Sequence, residues 1–319
     1  MFSHAAAIGA DIGRNSLRIA VVRMKGEILA TSEIRLLEKQ NSEYLVSTLI
    51  EAVRAIRSEV ASDLINPMCI GISAKGFIDH QSGIVLGPNQ GIEGWQNVPL
   101  SKILSDGTGL PVYVGNDASM MTIAEHRFGA AKGFNNVIFV ALRTGIGGGI
   151  IINGKPYRGV NNAGGEFGQM IINYDDGISS LGIRGSFEHL ASASAVVRRF
   201  QEETGTGRAG EEVLSCREIF ELSNDGSEPA MKVVKENAEI VGIGLANLIS
   251  IFAPEIIILG GGMAYARDNY ISMIKKSAFE NSLENCRSEV RIERAKLGTE
   301  ASLMGSAYYA LIRLAGKTI

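Results

Sequence analysis

AIGADIGRNSLRIAVVR, residues 7–23, has a counterpart in VIFVALRTGIGGGIIIN, residues 137–153. Each is an apolar run, a short turn bearing glycine, and a second apolar run. This spacing predicts two β-hairpins, because strands favour apolar and β-branched residues while turns favour small or polar ones. GEILATSEI extends the first hairpin into a third strand, after a polar turn at Arg14-Asn15-Ser16. Two like units in sequence predict two like lobes.

Outside the hairpins, strand-like and helix-like runs alternate, which places the chain in the α/β class. Residues 43–61 set Leu45, Leu49, Ala52, Ile56 and Val60 near helical spacing and predict an amphipathic helix. MCIGISA (68–74) and PVYVG (111–115) read as buried strands, and 119–128 as a helix. Beyond the second hairpin, 191–203, 216–223 and 229–253 read as helices, 255–259 as a strand and 299–315 as a last helix. The expected lobes are residues 1–117, to which a C-terminal helix at 300–319 returns, and residues 118–299.

Hydrophobic residues make up 45% of the 319, enough for substantial cores, and the net charge is −3. That balance argues against a dedicated nucleic-acid binder, whose footprint is basic. Cys69, Cys216 and Cys286 are far apart and match no metal-ligand spacing; so sparse a count suits a reducing compartment. The N-terminus has no basic n-region. The apolar run 240–253 is interrupted by Asn247, ends at Pro254 and is too short to cross a bilayer. A cytoplasmic protein is expected, with neither membrane nor nucleic acid as partner.

Both hairpin turns have backbone amides suited to an anion nest. Asp11-Ile12-Gly13 and Thr144-Gly145-Ile146-Gly147 qualify, although each alone reads as an ordinary hairpin. GTGRAG at 205–210 matches a dinucleotide fingerprint but follows a helix rather than a strand, so it reads as a surface loop. Gly115-Asn116-Asp117-Ala118 sits where a strand gives way to a helix, a place for a proton-accepting carboxylate or for a simple helix cap. Glu166, flanked by glycines, and Glu188 suit a polyhydroxylated ligand, or are solvated loop acids. Pro88-Asn89-Gln90-Gly91 leads to Trp95, the only tryptophan, which either closes over a sugar face or plugs a lobe.

Taken in order, these motifs resemble the ROK family (repressor, open reading frame, kinase) of sugar kinases and sugar-sensing regulators. The matching stretches are DIG at 11–13, PNQGIEGW at 88–95, GNDA at 115–118, TGIGGG at 144–149, AGGEFG at 163–168, PEIIILGGG at 254–262 and EASLMGSA at 300–307. The resemblance spans residues 7 to about 310. It implies an actin-like ATPase, ribonuclease H-like two-lobe sugar kinase fold, with ATP, Mg²⁺ and a hexose in the cleft, and a homodimer. Carried over by position, it implies sugar contacts at Asn89, Asn116, Asp117, Glu166, Gln169 and Glu188, with Asp117 as general base. It implies nucleotide contacts at Asp11, Gly13, Thr144, Gly145, Gly260, Gly261 and Gly262.

The stretch GISSLGIRGSFEHLAS, 177–192, departs from the family. Members commonly carry C-x-C-G-x-x-G-C-x-E and an earlier histidine, which together hold zinc. Here Ser179, Leu181 and Ser186 stand at the cysteine places and Gln169 at the histidine. Leucine cannot ligate a metal, and serine and glutamine are poor zinc ligands. No structural zinc is expected, and Leu181, Ile183 and Phe187 are expected to pack the loop instead. Both turns also exchange a small residue for arginine, Arg14 and Arg143. Arginine either partners phosphate or fills space a nucleotide needs. The resemblance therefore implies an ATP-dependent hexose kinase, most like a glucokinase, acting on the sugar's primary hydroxyl. The alternatives are a weakened or inactive sugar sensor without a DNA-binding domain, and a kinase for an N-acetylated hexose. A repressor is not expected, since DIG begins at residue 11.

Overall fold

Both expected hairpins form. The structure is a computed structural model describing residues 5–13, 15–37, 40–61, 65–87, 92–179, 181–207 and 213–316. Strand β1 (Ala6–Ile12), buried throughout, pairs antiparallel with β2 (Ser16–Arg23), and β2 with β3 (Ile28–Arg35). Helix α1 (Ser42–Ala61) follows and buries every apolar position expected of it. Next come β4 (Ile70–Ala74), the small hairpin β5 (Phe77–Asp79) and β6 (Ile84–Gly87), α2 (Leu100–Thr108), β7 (Val112–Asn116) and α3 (Asp117–Arg127). Strands β4 and β7 add in parallel beside β1, giving the order β3-β2-β1-β4-β7.

The second hairpin joins β8 (Val137–Leu142) antiparallel to β9 (Ile146–Ile152), followed by β10 (Lys155–Tyr157). Helices α4 (Phe187–Ala191), α5 (Ala193–Thr204), α6 (Cys216–Asn224) and α7 (Glu228–Phe252) lead to β11 (Ile256–Gly260). Then come α8 (Asp268–Glu280), α9 (Glu284–Arg287), β12 (Arg291–Arg294) and α10 (Ala301–Leu314). The second sheet has the order β10-β9-β8-β11-β12, with β11 parallel to both neighbours. The repeated motif in sequence is thus a repeated sheet topology.

Two compact units emerge: Met1–Gly133 with Gly154–Gly164 and Lys296–Ile319, and Phe134–Asn153 with Gly165–Ala295. They differ from the lobes expected at 1–117 and 118–299, because α3 packs on α10 and so goes with the first unit. In the first unit, Leu45, Leu49 and Ile56 of α1 pack with Ile8, Ile19 and Ile72 of the sheet. Trp95 is fully buried in this core, so it plugs the unit rather than covering a ligand. The C-terminal helix lies directly on β1 and β4. At Gly71 any side chain would sit 1.8 Å from the Ser306 carbonyl oxygen, so only glycine permits that approach.

The second unit is built around α7, which begins with a proline in its first turn and ends at Ala253 in the left-handed region, just before Pro254. Its Val241 and Leu245 share a core with Val140, Ile257, Leu259 and Phe187. Among the described residues, no helix is long and apolar enough to cross a membrane.

Candidate active site

In the first unit, register brings the expected residues to one end of the sheet. Asp11 stands opposite Ser73 across β1 and β4, and Ala74 opposite Asn116 across β4 and β7. These are the carboxyl ends of parallel strands, where open α/β sheets place ligands. Asn116 caps α3: its Oδ1 accepts from the Ala118 and Ser119 amides at 3.0 and 3.3 Å, and its Nδ2 donates to the Gly76 carbonyl at 3.2 Å. Asp117, half-buried, is the first residue of the helix, and its Oδ1 accepts from Ala118 N at 2.9 Å. The helix N-terminus favours negative charge there. The Ala118 amide is thus shared by these two adjacent side chains. Gly13 closes its turn by donating to the Ser16 carbonyl at 2.9 Å. Asn89 and Arg14 lie outside the described residues.

In the second unit, the turn after β8 is held from below by α5. Ala193 N donates to the Arg143 carbonyl and Ser194 Oγ to the Thr144 carbonyl, both at 2.9 Å. Glu188, near the start of α4, accepts from Ile146 N at 2.9 Å through Oε2. A Cβ at Gly145 would lie 2.3 Å from that same oxygen, so the turn's glycine and the carboxylate fit each other. Helix α4 is itself anchored. Phe187 is fully buried and fills space beside Gly244 of α7. Asn237 of α7 donates to the Ala191 carbonyl at 3.0 Å and accepts from the Tyr270 hydroxyl at 2.6 Å.

Gln169 comes beside this carboxylate because Phe187 N donates to the Met170 carbonyl at 2.7 Å, aligning the two segments. Its Oε1 is buried with no hydrogen-bond partner. Glu166, three residues earlier, is exposed. Strands β8 and β11 run parallel with Ala141 opposite Gly260, so Gly260, Gly261 and Gly262 follow at the same end as Thr144 and Gly145. Gly261 has φ +86°, and a side chain there would meet the Leu142 carbonyl oxygen at 2.3 Å and the Arg143 stem at 2.7 Å. Arg143 is exposed, with its stem lying along this glycine.

The loop at 177–188 is held in part as expected, by the fully buried Phe187, and in part by a serine hydroxyl. Ser179 is buried, and its Oγ accepts from the Leu181 and Ile183 amides at 3.3 and 3.1 Å. Ser186 caps α4 by accepting from His189 N at 3.3 Å. Leu181 is 47% exposed and so is not a filler; its place in the tight turn points away from the core that receives Phe187. Burial and the neighbouring Arg198 push the His189 pKa down. Among the described residues, no group of three or more His, Cys, Asp and Glu is placed to hold a metal ion.

Three contributors escaped the sequence reading. Ser73 and Arg18, which bond Asp11, lie inside strands and carry no motif. Ser194 follows the Ser192 cap of α5, a signal for a helix start but not for what it holds.

The ROK family profile matches residues 7–313. A glucokinase of Streptomyces coelicolor is 33% identical over 94% of this chain and 96% of its own. A xylose repressor of Caldicellulosiruptor bescii is 28% identical, covering 93% of this chain and 76% of its own. A solved ROK family glucokinase from Streptomyces griseus, in complex with glucose and AMPPNP, superposes with a TM-score of 0.82 at 31% identity, covering 96% of this chain and 99% of that one. The fold is the actin-like, ribonuclease H-like two-lobe fold expected from the sequence.

Proposed function

This chain belongs to the ROK family, and from that premise we propose that it transfers the γ-phosphoryl group of ATP to the primary hydroxyl of a glucose-like hexose. One observation carries the reading: Glu188 bonds the Ile146 amide directly beside Gly145, so one carboxylate locks the turn assigned to phosphate to the residues assigned to sugar. The unpartnered Gln169 Oε1 supports it, since a buried acceptor of this kind suits a sugar hydroxyl donor.

In this reading Asp117 accepts the proton of the attacking hydroxyl, help worth about 10²–10⁴-fold. Glu166, Gln169 and Glu188 hold the remaining hydroxyls. The amides of the Thr144-Gly145 turn receive phosphate oxygens, and Gly260 to Gly262 let the backbone approach the adenosine. Mg²⁺ would enter on the phosphates of the nucleotide and neutralise their charge. Ser179 and Phe187 hold the 177–188 loop without zinc.

The position of Arg143 along Gly261 favours a second reading, a sugar sensor that binds no nucleotide, and xylose repressors stand among the relatives. Calorimetric titration with glucose and with Mg²⁺–AMPPNP separates the two. A kinase binds both, whereas a sensor binds sugar alone. Light scattering tests the homodimer that the family implies.

A further inference from the structure

Asp11 is only 5% exposed, and both its carboxylate oxygens are engaged. Ser73 Oγ donates to Oδ1 at 3.0 Å, and the Arg18 guanidinium pairs with Oδ2. Arg18 stands directly opposite Asp11 in the β1–β2 register. The same guanidinium donates to the Thr299 carbonyl at 2.7 Å and to Ser302 Oγ at 3.2 Å, at the start of α10. A carboxylate this buried needs a compensating charge. A planar guanidinium with several donors supplies it while bonding two other groups.

We propose that Arg18 occupies the cation position at Asp11. It is a positioning residue that fixes the first hairpin to α10 and keeps divalent ions off this carboxylate. Asp11 is then a staple of the nucleotide turn and not a metal-facing group. The inference rests on the kinase reading only in treating this hairpin as the nucleotide side; the ion pair itself does not.

The test uses Mn²⁺ alone as probe, followed by water-proton relaxation, on the wild type, Asp11→Asn, Arg18→Met and the double variant. Wild type and Asp11→Asn are expected to bind Mn²⁺ equally. Arg18→Met bares the carboxylate and is expected to gain about tenfold or more in Mn²⁺ affinity, a gain that Asp11→Asn then removes. A purely structural arginine would produce no such gain. Loss of Mn²⁺ binding in Asp11→Asn, or a folded Arg18→Met with no gain, overturns the proposal. Should Arg18→Met not fold, the comparison of wild type with Asp11→Asn still decides it. Melting temperatures supply a second readout: the two single losses are expected to exceed that of the double variant, and strict additivity would refute the pair. Neither measurement includes a nucleotide, so failure of the kinase reading leaves both interpretable.

Discussion

Replacing Gly145 with alanine perturbs the one contact on which the functional reading rests. The new methyl group would lie 2.3 Å from Glu188 Oε2 and 3.0 Å from its Cδ. To restore ordinary contact the oxygen must retreat by about 1.1 Å, from 2.3 to 3.4 Å. That stretches its bond to Ile146 N, now 2.9 Å, beyond hydrogen-bonding range. A charged hydrogen bond contributes ~1.5–3 kcal/mol, and half-burial of Glu188 selects the lower end. At 1.4 kcal/mol per factor of ten, sugar affinity falls about tenfold. The melting temperature falls by a few degrees, at ~2–4 °C per kcal/mol for a unit of this size. Gly262→Ala is the control, since nothing stands within 4 Å of its Cβ position, and its stability is expected to change by less than ~0.5 kcal/mol. Calorimetry with glucose and thermal melts read both variants. If Gly145→Ala keeps wild-type sugar affinity and melting temperature, Glu188 is not locked to the turn and the reasoning fails.

Ser179→Ala removes the acceptor of two amides and is expected to cost about 1–3 kcal/mol, with faster hydrogen exchange at Leu181 and Ile183; EDTA is expected to leave the wild-type melting temperature unchanged, and a chelator-induced drop would contradict a zinc-free loop. Glu125 is fully buried and accepts from the Ala130 and Leu297 amides, both at 2.8 Å. Glu125→Ala leaves both unpaired, so a loss of about 2–6 kcal/mol is expected in denaturant melts, and a near-neutral result would show that the amides find other partners. Burial, then Arg158 and Arg313, push the His80 pKa below 6.5, so the unfolded chain takes up a proton first as pH falls. Stability is expected to be fully present above about pH 6.5 and to decline below it. His80→Asn should flatten that decline in urea melts at about pH 7.5 and 5.5, and an unchanged slope would assign the acid sensitivity elsewhere, His189 being the next candidate by its own lowered pKa.

What was legible in the sequence was what repeats or alternates. The two hairpins announce themselves because apolar runs flank glycine turns, and α1 because its apolar residues recur at helical spacing. Strand β12 was missed because only Ile292 of RIER is buried, leaving no alternation to read. Helix α2 is short and meets the core at only three positions. Asn116, Asp117 and Glu188 were singled out by motif position, and the structure adds the hydrogen bonds that hold them. Arg18 was illegible for a different reason. A strand arginine reads as solvent-facing, while its partners are set by cross-strand register and by residues far along the chain. Leu181 shows the converse. A leucine in a loop suggests packing, yet the turn made by Ser179 directs it outward.

The central claim is phosphoryl transfer to a sugar with Asp117 as base. Its most direct test is ADP release, coupled to a reporter, with Mg²⁺–ATP and glucose, mannose, fructose, allose, N-acetylglucosamine or N-acetylmannosamine, for wild type and Asp117→Asn. The account predicts ADP release that depends on sugar, is greatest with a glucose-like hexose and falls about 10²–10⁴-fold in the variant. A folded wild-type protein that binds one of these sugars and releases no ADP with any of them would contradict it.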